Sequence, residues 1–357
     1  MNKLDLKKHL IALATLPETG SPILSVYMNK STPLDEHRKN LKDWATLARH
    51  TFKGRQQSDF EDALEEVFTF METANDRQSL VVFSRWGEYP MLLPIHLKVP
   101  VETQFHAGSL PVIFPLVELK DRFHRFVLVA MNSEAARIFE INLGEISESL
   151  LERRPELRKR LGREWTREHY QNHRKKRSGQ FVKEKIAVIE QLMTKRGHNS
   201  LILAGEPRFV NRLKEQLPKH LKAKLAGEVR SGFSKNALNK VVNQSIQVFL
   251  DQENMESQDA VKRLEYALSS NGLAVVGFHA AVEALEMYCA DQLILSTNLP
   301  DREREYLSRL ASTQDISIET VQNNKTLEQF GGVGCLLRYL PSWDERAIKP
   351  EVHASVA

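Results

Sequence analysis

The chain has 357 residues, 41% of them hydrophobic, with 16 glycines and 14 prolines, a composition that excludes collagen-like and low-complexity chains and calls for two or three packed domains. Its two cysteines, Cys289 and Cys335, form no CxxC pair, which excludes a disulfide framework or a four-cysteine zinc site and fits a reducing cytoplasm. The net charge of +4 is local: residues 151–180 hold eleven Lys/Arg against four Asp/Glu, or +7, which leaves −3 for the remainder.

The first section, residues 1–119, opens with a helical stretch whose charged start, MNKLDLKKHL, is unlike a secretory leader. PILSVYMNK reads as a strand from its β-branched and aromatic content. Residues 35–74 read as one or two helices, with Trp44, Leu47, Phe52, Phe60, Leu64, Val67 and Phe68 spaced for a buried face. SLVVFSRWGEYPMLLPI reads as two strands joined through Trp86, Gly87 and Glu88. Pro111 and Pro115 mark the passage into the next unit.

The second section, residues 120–243, begins RFVLVAMNSEAARIFEINLGEI, an alternating run with turns near Asn132 and Asn142 that predicts paired strands. The basic segment follows. FVKEKIAVIEQLMTKRG then puts Val182, Ile186, Ile189 and Met193 on one helical face and stops at Gly197. SLILAG reads as a buried strand and PRFVNRLKEQLPKHLKAKL as helix, an order that argues α/β.

The third section, residues 244–341, starts within a long polar helical stretch from about 237 to 270. LAVVGF is its first core signal, HAAVEALEMYCA reads as a helix with Val282, Leu285 and Cys289 inward, QLILS as a strand, REREYLSRLASTQ as a helix and GGVGCLLRYL as a turn into a last strand. GGVG lacks the lysine and Ser/Thr of a phosphate loop, so a close approach of two elements is expected there. Residues 342–357 read as a flexible tail. No apolar run approaches the roughly 20 residues that span a bilayer, so no membrane contact is expected.

NGLAVVGFHAAVEALEMYCADQLILS followed by FGGVGCLLRY resembles the C-terminal domain of class I archaeal and eukaryotic release factors and of Pelota. LILAGEPRFVNRLKEQLP resembles their central domain. Order and length suit the bacterial branch of this superfamily, with its Balon-type ribosome hibernation factors. The resemblance implies three domains: an N-terminal α+β domain at the decoding region, a central RNase H-like α/β domain with a long basic helix, and a C-terminal L7Ae-like α/β/α sandwich. It also implies elongation factor Tu as a partner.

Release factors of this family carry Gly-Gly-Gln on a loop before a basic helix. Laying FVKEKI on the family's helix puts that tripeptide on Arg163, Glu164 and Trp165, with Tyr170 at an aromatic and Arg174 at an arginine position. The catalytic tripeptide is absent on this register, and Ser178-Gly179-Gln180 falls inside the helix, where a glycine costs about 1 kcal/mol relative to alanine. No catalytic residue is therefore assigned.

Arg163, Arg167, Arg174, Lys175, Lys176 and Arg177 are candidates for 16S and 23S rRNA phosphates. Trp165, His169, Tyr170 and His173 complete the candidate rRNA-binding set, the aromatic rings as stacking partners. His169 and His173 have metal-ligand spacing but lack the glutamate of HExxH and a third ligand, so neither metal nor cofactor is expected. Arg85 and Trp86 at the hairpin tip are candidates for the decoding region.

The reading is a monomeric, non-catalytic occupant of the A site of idle ribosomes. Two alternatives stay open: a peptidyl-tRNA hydrolase using Gln180, and an RNA-binding stress protein that never meets the ribosome.

Overall fold

In the computed structural model, which describes residues 3–29, 31–73, 79–123, 125–132, 135–142, 145–153, 167–230, 238–270 and 272–339, the apolar runs build three separate sheets, each covered by helices. The first sheet follows α1 (Lys3–Ala14) and contains β1 (Ile23–Met28), β2 (Ser79–Arg85), β3 (Met91–Leu97) and β4 (Gln104–Gly108) in the antiparallel order β3-β2-β1-β4. Successive side chains point to opposite faces of a strand. Ile23, Tyr27, Val81 and Phe83 accordingly share a core with Leu6, Leu10 and Leu13 of α1. Leu24, Val26, Leu80 and Val82 share another with Leu41 of α2 (Leu34–Ala48) and Phe60 and Val67 of α3 (Arg55–Thr73). Both faces are covered, which is why β1 and β2 read as continuous apolar runs. Leu47 departs from the expected buried face: it is 75% exposed, because α2 turns Leu41 and Ala45 inward instead.

The hairpin expected over residues 79–95 forms as β2 and β3 with a five-residue turn, 86–90. After β4 comes α4 (Phe114–Arg122), which the sequence did not announce.

The second sheet has the order β7-β6-β5-β8-β9. Three antiparallel strands, β5 (Phe126–Met131), β6 (Ala135–Asn142) and β7 (Glu145–Arg153), continue into the parallel pair β8 (Ser200–Gly205) and β9 (Leu225–Arg230). This is the mixed sheet that the expected RNase H-like domain calls for. α5 (Arg167–Arg196) covers one face, with Val182, Ile186, Ile189 and Met193 packed against Val127, Val129, Leu201 and Leu203. The helix after β8 is broken into α6 (Pro207–Gln216) and α7 (Lys219–Lys222) at Pro218, since proline disfavours helical backbone at the residue before it.

α8 (Leu238–Ser269) runs 32 residues, about 48 Å at 1.5 Å per residue. Its first half supplies Val241, Val242 and Phe249 to the central core, where Phe249 stacks on Phe126 at 4.7 Å. Its second half supplies Ala260, Val261 and Leu264 to the third domain. There β10 (Ala274–Val276), β11 (Ala290–Ser296), β12 (Ser317–Val321) and β13 (Val333–Leu337) form a sheet of order β10-β13-β11-β12. α9 (Phe278–Glu286), α10 (Asp301–Thr313) and α11 (Lys325–Gln329) complete the layers. The close approach expected at GGVG is Gly334, where an added Cβ would sit 2.4 Å from Leu264 Cδ2.

The expected limits at 119/120 and 243/244 fall inside α4 and inside α8. The first and third domains also touch directly. Glu305 of α10 accepts the N–H groups of Ile113 and Phe114 at 2.8 and 2.9 Å, where α4 has no side-chain cap of its own. One turn later Arg309 donates to the carbonyls of Leu13 and Ala14 at the end of α1, and to Pro111 at 2.6 Å. The third domain thus caps two helices around the first. The expected tail, 342–357, lies outside the described residues.

Candidate nucleic-acid interface

The basic segment leads into a helix with a firmly built base. Arg196 ends α5 and Gly197, at φ 64°, follows it, so that the N–H of His198 returns to the carbonyl of Met193 at 3.0 Å, the bond of a Schellman cap. His198 is fully buried, with Nε2 3.3 Å from Glu140 Oε1. Glu140 also pairs with Arg196, and Lys224 donates to the carbonyl of His198 at 2.8 Å. Burial pushes the His198 pKa below the ordinary histidine value, with Arg125 and Arg196 acting in the same direction and Glu140 against it.

From this base α5 extends back about 45 Å to Arg167. Its described core residues run only from Val182 to Met193. Arg167, His169, Tyr170, His173, Arg174, Lys175, Lys176 and Arg177 all lie on its first three turns. Ser178, Gly179 and Gln180 belong to the helix, as expected. Arg163 and Trp165 lie outside the described residues.

The hairpin tip differs from its expectation in one residue. Arg85, expected to reach outward, has no solvent-accessible surface. It is the last residue of β2, and its side chain turns beneath the 86–90 turn: Nε donates to the carbonyl of Tyr89 at 3.1 Å, Nη1 to that of Pro17 at 3.2 Å, and the guanidinium lies 5.8 Å from the centre of the Tyr89 ring. Burial lowers its pKa from the usual arginine value, against the opposing effects of Glu88 and Tyr89. Arg85 therefore braces the turn and presents no charge at the surface.

Trp86 remains at the tip, 45% exposed, and Tyr89 joins it at 68%. Beneath them Ser21 Oγ donates to Asp59 Oδ2 at 2.6 Å and accepts from the N–H of Glu88 at 3.0 Å. Gly87, at φ 84°, sits against this pair, where a Cβ would come within 2.5 Å of both side-chain oxygens. Tyr89 was missed in the sequence because nothing in WGEYP announces its left-handed backbone, φ 51°.

Among the described residues no three His, Cys, Asp or Glu side chains gather as a metal site, and no helix is long and apolar enough to cross a membrane.

Residues 111–248 match the family model of bacterial archaeo-eukaryotic release factor family 10. The protein pelota homolog of Methanocaldococcus jannaschii is 24% identical over 230 residues, which cover 60% of this chain and 61% of that protein. The chain thus matches less than two thirds of the length of this curated relative. Among solved structures, Dom34 of S. cerevisiae, described as a translation termination-like factor involved in RNA quality control pathways and interacting with Hbs1, is 12% identical, with 96% of this chain and 94% of that chain covered and a TM-score of 0.42. Archaeal Pelota from a model of its ribosome-bound form with ABCE1 is 16% identical, with 94% of each chain covered and a TM-score of 0.42.

Proposed function

Because this chain belongs to the archaeo-eukaryotic release factor/Pelota superfamily, we propose that it is a ribosome-binding factor that occupies the A site of idle ribosomes and leaves the nascent-chain ester intact. The observation that carries this reading is the placement of charge. The +7 of residues 151–180 precedes and enters α5, while the rest of the chain sums to −3. A cationic rod of this kind neutralises phosphates, and each contact releases counter-ions. The relation to release factors supports the ribosome as the source of those phosphates.

Two features favour occupancy over hydrolysis. The family's Gly-Gly-Gln falls on Arg163-Glu164-Trp165, and Gln180, the glutamine of the Ser-Gly-Gln string, lies within a continuous helix. In this reading the central domain presents residues 163–177 to 23S rRNA near the peptidyl transferase centre, the first domain meets 16S rRNA through Trp86, and elongation factor Tu is the delivering GTPase.

The test is co-sedimentation with 70S ribosomes carrying a labelled peptidyl-tRNA. The wild-type chain is expected to migrate with the particles and release no peptide. Arg174→Glu/Lys175→Glu/Lys176→Glu is expected to shift it to the light fractions and to lower the slope of log affinity against log salt by about three. Peptide release that disappears in Gln180→Ala would establish the hydrolase instead. Migration only in the light fractions would establish a ribosome-free RNA binder.

A further inference from the structure

The third domain mirrors the basic segment in charge. Residues 244–341 hold seven Lys/Arg against fourteen Asp/Glu, or −7. A surface of that sign repels phosphates and attracts cations. It also displays rings: Tyr288 is 68% exposed, Tyr339 52% and Tyr306 45%, with Met287 exposed beside them. These groups form one patch. Tyr339 Oη donates to the carbonyl of Tyr288 at 3.3 Å, Tyr306 Oη lies 3.5 Å from Glu286 Oε1, and the Tyr306 ring is 6.2 Å from that of Phe278.

Tyr288 stands there against its backbone preference. It follows α9 in the left-handed conformation, φ 57°, a position that glycine usually takes, and the N–H of Cys289 returns to the carbonyl of Ala284 at 3.1 Å to close the cap. Glycine would close the same cap without strain, so helix capping does not account for the tyrosine. Residues held in this way concentrate at functional sites. Acids border the rings. Glu283 and Glu286 are exposed on the last turn of α9, and Arg338, next to Tyr339, is paired with Asp291 at 3.1 Å. Rings edged by carboxylates suit a guanidinium, whose plane lies on a ring face while its N–H groups reach the acids.

The chain itself carries such groups in quantity. Eight of the eleven cations in residues 151–180 are arginines, and Arg167, Arg174 and Arg177 lie in the first turns of α5. α5 and α8 cover opposite faces of the central sheet, and α8 leads into the third domain, so the sheet separates each arm from the patch of its own chain. We propose that the Tyr288–Tyr306–Tyr339 patch docks the arginine-rich start of α5 of a second copy, and that RNA and the patch compete for that arm. The contact is heterologous, arm to patch. The monomer expected from the sequence is then the form whose arm RNA has taken.

The experiment is sedimentation velocity of the full chain over a range of concentrations. At low salt the mean mass is expected to rise with concentration, and high salt or an excess of a uridine oligonucleotide is expected to return it to the monomer. Tyr288→Ser/Tyr339→Ser is expected to weaken the association at least about fivefold, for the loss of two exposed ring–cation contacts. Tyr288→Phe/Tyr339→Phe keeps both rings and is expected to associate like the wild type. Glu283→Arg/Glu286→Arg and Arg174→Glu/Lys175→Glu/Lys176→Glu are each expected to be monomeric alone and to associate when mixed, because the mixture restores a native arm to a native patch. Misfolded variants would not complement each other.

A mass that stays monomeric at every concentration in low salt would overturn the proposal, and so would an association that the serine variant leaves intact. Two charge variants that stay apart when mixed would exclude the arm-to-patch contact. A monomeric chain whose serine variant loses only elongation factor Tu would assign the patch to a separate protein instead. The measurement contains no ribosomes, so its failure leaves co-sedimentation through the central domain untouched, and a failed co-sedimentation leaves the self-association standing.

Discussion

Asp121 Oδ2 accepts hydrogen bonds from both the backbone N–H and the hydroxyl of Thr320, each at 2.6 Å. The two residues are 199 positions apart, and the bond ties the end of α4 to the edge strand β12. Thr320 is buried, so removing its acceptor leaves two unsatisfied donors. Asp121→Ala is expected to lower stability by about 2 to 3 kcal/mol in urea denaturation, whereas Asp121→Asn, which keeps an acceptor oxygen, loses less.

The cap on α4 from Glu305 makes a local claim of its own. Glu305→Ala frees the N–H groups of Ile113 and Phe114, and hydrogen exchange at these two amides is expected to rise. Unchanged protection in that variant would show that α4 is held by apolar packing alone.

His198 gives the protein an acid-sensitive element. The unfolded chain takes up a proton near the ordinary value of 6.5, while the buried ring resists protonation until a lower pH. Unfolding therefore binds protons below 6.5, and stability falls as the pH drops through that range. His198→Gln is expected to flatten this part of the stability-against-pH curve, measured as urea midpoints between pH 7.5 and 5.

Helix, strand and core positions were legible in the sequence wherever one helical face or one short continuous run was apolar. Val182, Ile186, Ile189 and Met193 sit where their spacing puts them, and β1, β2, β5, β8 and β11 form on the runs that predict them. What escaped was structure determined by partners distant in the chain. β4, QFHAG, and β9, LAGEVR, carry weak patterns and become strands because β1 and β8 offer free edges. β12 was missed for the same reason, beside β11.

The candidate site was half legible. Charge density located α5, but no pattern distinguishes an arginine at a hairpin tip from one folded beneath it. Arg85 is buried because Tyr89 and Pro17 supply acceptors, and neither contact has a signature in the sequence.

The thiols are expected to be inert. Burial, assisted by neighbouring Cys289, pushes the Cys335 pKa up to about 12, and burial raises that of Cys289 too. Neither forms appreciable thiolate at pH 8. A colourimetric thiol reagent is expected to find no reactive group in the native protein and two in denaturant.

Gly87→Ala forces a side chain into a left-handed backbone and against Asp59 and Ser21. A loss of about 1 to 3 kcal/mol is expected from the backbone alone, read as a lower thermal midpoint. An unchanged midpoint would mean that the turn relaxes freely around the added methyl group.

α8 places Phe249 in one hydrophobic core and Leu264 in another on a single uninterrupted rod. A jointed linker would let the two domains wander independently; a helix anchored at both ends makes them turn together, like wheels keyed to one axle. Torque applied to the C-terminal domain by any partner is then delivered to the sheet that carries α5, and a small rotation there sweeps the far end of that long arm through a wide arc.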